Sequence, residues 1–143
     1  MEELNIELKT LKVIAQHIVY PGQGVCRYVK SDTKFNHFHS LLMKINIMVP
    51  VKDTKHRALI TCESAQKLLK ELDTEKAVSY GESWNRRKKS YLNRIYSGDI
   101  QNIVNVVKEI NFISTKKALS TSEKEILKKA QEIACQEINF VLR

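Results

Sequence analysis

The chain has 143 residues, of which 43% are hydrophobic and 28% are charged, the composition of a globular protein that forms one domain or two small ones. It carries 24 Lys and Arg residues against 16 Asp and Glu residues, which gives a formal net charge of +8. Four glycines and two prolines exclude a fibrous or linker-rich protein, and no apolar run is long enough to span a membrane.

The cysteines and the first residues of the sequence indicate the cellular compartment of the protein. Cys26, Cys62 and Cys135 form no CxxC pair, and their odd number favours reduced thiols. We therefore expect each of them to be a small buried hydrophobic residue. The first three residues, MEE, lack the basic start of a signal peptide, so we expect a cytoplasmic protein.

The first part of the chain has the residue types of β-strands. Val13 to Val29 are rich in β-branched and aromatic residues, and Pro21-Gly22-Gln23-Gly24 interrupts them with a turn. A second pair of strands is predicted at Leu41-Leu42-Met43 and at residues 45–51. His37-x-His39 is the one candidate metal pair, but a zinc site needs four ligands, so we expect no metal.

After Ile60 the apolar residues follow a helical period. Thr61 is a predicted N-cap of a helix that ends near Leu72, and residues 73–83 are a polar linker. The apolar face of this helix is predicted to consist of Ala65, Leu68, Leu69 and Leu72.

Three further helices are predicted. The first runs from Trp84 to Ser97 and is closed by Gly98. Asp99 is a predicted cap of the next helix, and the capping box at residues 120–123 opens the last one. Because none of these helices can bury its apolar stripe alone, we expect them to form a bundle.

These patterns predict an α+β protein with two domains. Residues 1–60 are expected to form a small Tudor- or SH3-like β-barrel, and residues 61–143 an all-helical domain. Such barrels bind partners through an edge or a rim. The sequence contains no nucleophile–base pair, metal set or carboxylate dyad with motif spacing, so we expect a protein that is not an enzyme.

Positive charge is concentrated in the second predicted helix. Arg86-Arg87-Lys88-Lys89 is followed by Arg94, and no acid lies between Trp84 and Asp99. At 100° per residue the helix has an apolar face made of Tyr91, Leu92, Ile95 and Tyr96. Lys88 falls at this apolar angle, but near the helix start its side chain can reach solvent, and the other four cations fall on an outer arc. A purely cationic face suits a phosphate backbone, whereas an ordinary solvated face mixes both signs. A membrane contact is disfavoured because the bundle needs the apolar face.

The single tryptophan of the chain, Trp84, begins this basic helix. A lone tryptophan is by default a core residue whose indole N–H finds one partner. Beside four cations, an indole can also act as a wedge or a stacking surface for a base. Composition alone leaves both readings open.

Several short segments match a set of known signatures in order and spacing. Residues 18–25 (IVYPGQGV) are similar to VVYPxHGVG, and residues 84–87 (WNRR) are similar to WxRR. Residues 97–100 (SGDI) and the segment from Leu119 to Ala130 are similar to the SGD and LSxxEKxMLxxAR signatures. With Met48-Val49-Pro50-Val51 between them, these segments resemble the CarD/CdnL family of bacterial transcription regulators.

The resemblance implies that the Tudor-like domain binds the β subunit of RNA polymerase. It also implies that the helical domain binds the minor groove and phosphates of double-stranded promoter DNA at the upstream edge of the bubble and stabilises the open complex. Together with the basic helix it predicts DNA contacts from Trp84, Arg86, Arg87, Lys89, Arg94 and Lys124. Trp84 matches the family's minor-groove wedge, and Lys34 and Met48 match polymerase-facing positions. We expect a monomer that needs no cofactor, metal or membrane.

The departures from the family pattern concern the first domain. Ala15-Gln16 replaces a Gly-Asp pair, and Met48 stands where some relatives have a polymerase-contacting arginine. The stretches before Val49-Pro50 and before Arg57 are shorter than in the family. The alternative hypothesis is therefore a free-standing basic protein that recognises DNA shape without a polymerase partner.

Overall fold

The structure, a computed structural model, describes residues 16–78 and 83–143 and contains four β-strands followed by four α-helices. The predictions for residues 1–3, for the first strand residues before Gln16 and for residues 79–82 of the linker lie outside the described part. The strands are β1 (His17–Tyr20), β2 (Gly24–Ser31), β3 (Phe35–Ser40) and β4 (Ile45–Pro50). The helices are α1 (Cys62–Glu71), α2 (Trp84–Ile95), α3 (Ile100–Lys116) and α4 (Thr121–Leu142).

The strands form one antiparallel sheet in the order β1-β2-β3-β4. The predicted turn at residues 21–24 is confirmed: the N–H of Gln23 donates to the carbonyl of Tyr20 over 2.9 Å. Gly22 and Gly24 have φ angles of 79° and 71°, a conformation that glycine adopts without a Cβ clash. Sequence neighbours therefore pair as hairpins, and β1 and β4 are the two edges of the sheet.

The prediction of a strand at Leu41-Leu42-Met43 is wrong, because these residues form the turn between β3 and β4. The carbonyl of Ser40 accepts from the N–H of Lys44 over 2.8 Å, and the Ser40 hydroxyl accepts from the N–H of Met43 over 3.1 Å. Lys44 completes the reversal with a φ of 58°. The chain must reverse here so that β3 pairs with β4, and this requirement overrides the apolar character of the segment.

The strands themselves supply a small apolar core. Each of β1, β2, β3 and β4 contributes one buried member, and Tyr20 and Ile47 pack against these members. The buried members are Ile18, Cys26, Phe38 and Val49. The chain divides between Leu59 and Ile60 into two compact units, the strand unit before this point and the helical unit after it.

The predicted helix caps are confirmed. Thr61 accepts from the N–H of Ser64, and Asp99 accepts from the N–H of Gln101. Ser120 and Glu123 form a complete capping box at the start of α4. The α2 helix ends at Ile95, before the predicted Ser97, and Gly98 follows with a φ of 82°.

The helices pack through the faces that their periodicity predicts, with two exceptions. The predicted stripes of α3 and α4 are mostly buried, but Leu69 of α1 and Tyr96 after α2 are exposed. In α1 the buried stripe centres on Ala65 and Leu68, so Leu69 lies at its outer side. The α+β class, with a Tudor-like β region followed by helices, is confirmed. In the described part of the chain, no helix combines the length and hydropathy of a membrane span.

The cysteines differ in their surroundings. Cys26 is buried, and burial raises its pKa to about 11. Cys135 is partly buried, whereas Cys62 is exposed, so the expectation of a buried residue is wrong at Cys62. Cys62 lies seven residues before the exposed Leu69, on the same side of α1 and away from the centre of its buried stripe.

Candidate nucleic-acid interface

The basic helix α2 presents three exposed cations at its N-terminal end. Ser83 caps the helix, its side chain accepting from the N–H of Arg86, so the basic run occupies the first turns. Arg86, Lys88 and Lys89 are all exposed. Lys88 lies at the apolar angle near the start of the helix, and its exposure agrees with the expectation that its long side chain reaches solvent.

Arg87 lies on the buried side of α2, and its predicted place on the outer arc is wrong. It is only 9% exposed, and its guanidinium donates to Glu123 of α4 over 3.3 Å. Arg87 precedes the buried residues Tyr91 and Ile95 by four and eight positions, so all three share one face of the helix. The buried face is therefore centred closer to Arg87 than the apolar residues alone indicate.

Arg94 is also engaged inside the helical unit. Its guanidinium pairs with Glu109 of α3 in a two-pronged contact that involves both carboxylate oxygens, one of them at 3.4 Å from Nη2. The same guanidinium lies over the ring of Tyr91 at 5.5 Å. Its predicted place on the outer arc is corrected in part, because the pair joins α2 to α3 and leaves the side chain only partly exposed.

Trp84 is partly buried at the first position of α2. Its ring centroid lies 6.4 Å from that of Tyr91, with an angle of 55° between the planes. The guanidinium of Arg87 lies over the indole at 5.1 Å, within the range of a cation–π contact. The indole is thus held against the helix by a tyrosine and an arginine while part of its surface meets solvent.

Glu123 joins this cluster to the start of α4. Its carboxylate accepts from the backbone N–H of Ser120 over 3.0 Å and lies 3.6 Å from the ammonium of Lys117. Burial tends to raise the pKa of Glu123, but the hydrogen bonds from Ser120 and Arg87 and the charge of Lys117 outweigh it and lower the pKa. Burial likewise tends to lower the pKa of Arg87, and the neighbouring Tyr91 and Glu123 outweigh it and raise the pKa. The pair is therefore ionised at neutral pH.

The N-terminal turns of α2 and α4 meet through the Arg87–Glu123 contact. Lys124 follows Glu123 directly and is exposed in the first turn of α4. The partial positive charge of two helix N-termini adds to the cations there. The structure thus brings Trp84, Arg86, Lys89 and Lys124 to one end of the helical unit, together with the exposed Lys88.

The predicted polymerase-facing residues lie in the strand unit. Lys34 is exposed in the turn before β3, and Met48 is 57% exposed in the edge strand β4. The two histidines of β3 have side-chain partners within the strand unit: His37 Nε2 lies 3.0 Å from the carboxylate of Asp32 in the β2–β3 connection, and His39 Nδ1 lies 2.8 Å from Oδ1 of Asn46 in β4. Within residues 16–78 and 83–143 there is no cluster of side chains that could hold a metal ion.

Comparison with known proteins identifies one family. The family model of the CarD C-terminal domain matches residues 66–143, which is more than half of the chain and includes helices α2, α3 and α4 entirely. A search of curated proteins finds no significant match.

Proposed function

Because the chain belongs to the CarD family of transcription regulators, we propose that it binds RNA polymerase and promoter DNA together and stabilises the open promoter complex. The observation that carries the proposal is the partly exposed indole of Trp84 at a helix end surrounded by outward cations. This combination of an apolar wedge and phosphate-binding groups is typical of proteins that insert into the minor groove.

The phosphate contacts are assigned to the exposed cations. Arg86, Lys89 and Lys124 are exposed and have no carboxylate partner in the described part of the chain, and Lys88 joins them on the same helix. Each cation that neutralises a phosphate releases condensed counterions, so binding depends on salt but not on sequence. The guanidinium groups of Arg87 and Arg94 already pair with Glu123 of α4 and Glu109 of α3. These two residues therefore contribute to the surface indirectly, because they hold α2 in place against the neighbouring helices.

The wedge provides preference for the open complex. Inserting an apolar ring requires unstacking of a base step, which costs on the order of a few kcal/mol in an intact duplex. The cost is smaller where the duplex is already opening, at the edge of the bubble. A ligand shifts an equilibrium only by its differential affinity for the two states, and Trp84 supplies that difference.

The polymerase contact is assigned to the edge strand β4. In the described part of the chain, the outer edge of β1 is covered by Arg57, whose N–H and carbonyl pair with those of Val19 over 2.9 Å. No described segment pairs with the outer edge of β4, where Met48 and Ile45 are exposed. An open strand edge with apolar side chains fits a β-rich protein surface. Attachment there raises the local concentration of DNA around α2, so weak intrinsic DNA affinity is sufficient.

The open-complex lifetime tests the wedge. Stacking of a base on an aromatic ring is worth about 1–3 kcal/mol, so we expect Trp84→Ala to shorten the lifetime about fivefold or more on one promoter with the native polymerase. Duplex binding is expected to change little, because the phosphate contacts remain. Tyr96→Ala is the matched control, since Tyr96 is the exposed aromatic residue at the other end of α2. A wild-type lifetime with Trp84→Ala would reject the wedge.

Polymerase binding tests the tether separately. The strand unit offers a matched pair of exposed methionines, Met48 in β4 and Met43 in the preceding turn, which are 57% and 53% exposed. We expect Met48→Lys to weaken binding of the full chain to the polymerase β subunit about tenfold, a loss of about 1.4 kcal/mol, and Met43→Lys to leave it unchanged. DNA binding without any polymerase binding by the wild-type chain would instead support the free-standing DNA-binding hypothesis.

A further inference from the structure

We infer that Arg87 and Glu123 form a positioning pair that holds the indole of Trp84 in a fixed orientation, and that Arg87 does not itself contact DNA. The role of this orientation in transcription rests on the proposed function. The orientation itself is a property of the free protein and can be tested without DNA or polymerase.

The geometry of Arg87 separates it from its neighbours in the basic run. Arg86 and Lys88 on either side are exposed, whereas Arg87 is nine-tenths buried. Its guanidinium lies 3.3 Å from the carboxylate of Glu123 and 5.1 Å from the indole of Trp84, and it also interacts with Tyr91. A cation with this burial and these partners would have to leave them before it reached a phosphate.

Glu123 anchors the arginine because its own position is fixed from α4. The carboxylate accepts from the N–H of Ser120 over 3.0 Å, and the Ser120 hydroxyl accepts from the N–H of Glu123 over 3.2 Å. A side chain that closes a capping box has little rotational freedom. The chain of contacts therefore runs from the capping box of α4 through Arg87 to the indole, and the ring is held between this guanidinium and Tyr91.

This arrangement gives the tryptophan an advantage as a wedge. A side chain that is already ordered in its bound orientation loses less conformational entropy on binding than a freely rotating one. A cation–π contact at a partly exposed site shifts a side-chain equilibrium by about two- to fivefold. Removal of the guanidinium is therefore expected to increase the population of misplaced indole by that factor.

Fluorescence of the free, full-length protein tests the inference directly, because Trp84 is the only tryptophan of the chain. The main variant is Arg87→Met combined with Glu123→Gln, since replacing a buried ion pair on both sides avoids an uncompensated buried charge. Arg87→Lys is the second variant, because it retains a cation opposite Glu123 but lacks the planar guanidinium. Arg86→Met is the matched control on the exposed side.

We expect acrylamide quenching of the indole to increase in the double variant, by at most about two- to fivefold, and by less in Arg87→Lys, with a shifted emission maximum in both. Arg86→Met is expected to leave the spectrum unchanged. Wild-type quenching and emission in both Arg87 variants would overturn the inference. So would a decrease in the salt dependence of DNA binding equal to that of Arg86→Met, because Arg87 would then contact a phosphate.

A mutant cycle connects the pair to transcription. If the pair acts through the indole, the double variant Arg87→Met with Glu123→Gln shortens the open-complex lifetime when Trp84 is present. It has no further effect in a Trp84→Ala background. An equal effect in both backgrounds would overturn the positioning role. A lifetime that does not respond to Trp84→Ala would reject the proposed function instead, while the fluorescence result would still decide whether Arg87 positions the ring.

Discussion

The two sides of α2 carry cations of the same kind and use them differently. On the outer side Arg86, Lys88 and Lys89 are exposed, whereas on the inner side Arg87 pairs with Glu123 and Arg94 pairs with Glu109. A segment without acids is thus partly neutralised by acids from α3 and α4. The formal charge of α2 therefore overstates the charge that this helix offers to a ligand.

The largest loss of stability is expected when Glu123, the buried acid at the start of α4, is replaced. Glu123→Ala leaves Arg87 buried without its partner and opens the capping box, so we expect the free energy of unfolding to fall by about 3 kcal/mol. Urea denaturation measures the change. Glu125→Ala, an exposed acid two positions later, is expected to change stability by less than about 0.5 kcal/mol. Equal effects of the two substitutions would contradict the buried role of Glu123.

A smaller loss of stability is expected at the second inner arginine. Arg94→Ala leaves the buried carboxylate of Glu109 without its two-pronged partner, so we expect a loss of about 2 kcal/mol. Its counterpart on the outer side, Arg86→Ala, is expected to unfold at nearly the wild-type urea concentration. If Arg86→Ala proved as destabilising as Arg94→Ala, the distinction between the two sides of the helix would be lost.

The salt dependence of duplex binding tests whether the exposed cations on the outer side of α2 contact phosphates. Each phosphate contact contributes about 0.9 to the slope of log K against log salt, so Arg86→Ala and Lys89→Ala are each expected to reduce the slope by about this amount. Fluorescence anisotropy of a labelled duplex at several salt concentrations measures it. Lys70→Ala, which removes an exposed cation from α1, is the control. A wild-type slope in the Arg86 and Lys89 variants would remove these residues from the interface.

The smallest expected effect is the pH dependence of the stability that the Arg87–Glu123 pair contributes. Because the pKa of Glu123 is lowered in the folded state, its contribution to stability is fully present above the unfolded value of 4.5 and is lost as the pH falls through the folded value. Glu123→Gln lacks this titration, so its stability is expected to decline less steeply with acid. Parallel acid profiles for the wild type and this variant, measured by urea denaturation at each pH, would speak against a lowered pKa.

Features set by neighbours in sequence were predicted well. The caps Thr61, Asp99 and Ser120 are predictable because a capping side chain binds an N–H only two or three residues away. The turn at residues 21–24 was identified because glycine permits its positive φ angles. The apolar residues of Leu41–Met43 favour a strand, and only the pairing of β3 with β4 makes this segment a turn.

The α+β class, the helix caps, the basic segment and the family signatures can all be predicted from the sequence, because they depend on residue type and short spacing. Which cations face solvent and how Trp84 is held follow from the packing of the helices instead. The acids that engage Arg87 and Arg94 lie 36 and 15 positions further along the chain. Interactions across such separations depend on how the helices pack, and the periodicity of one helix contains no information about the charges of its neighbours.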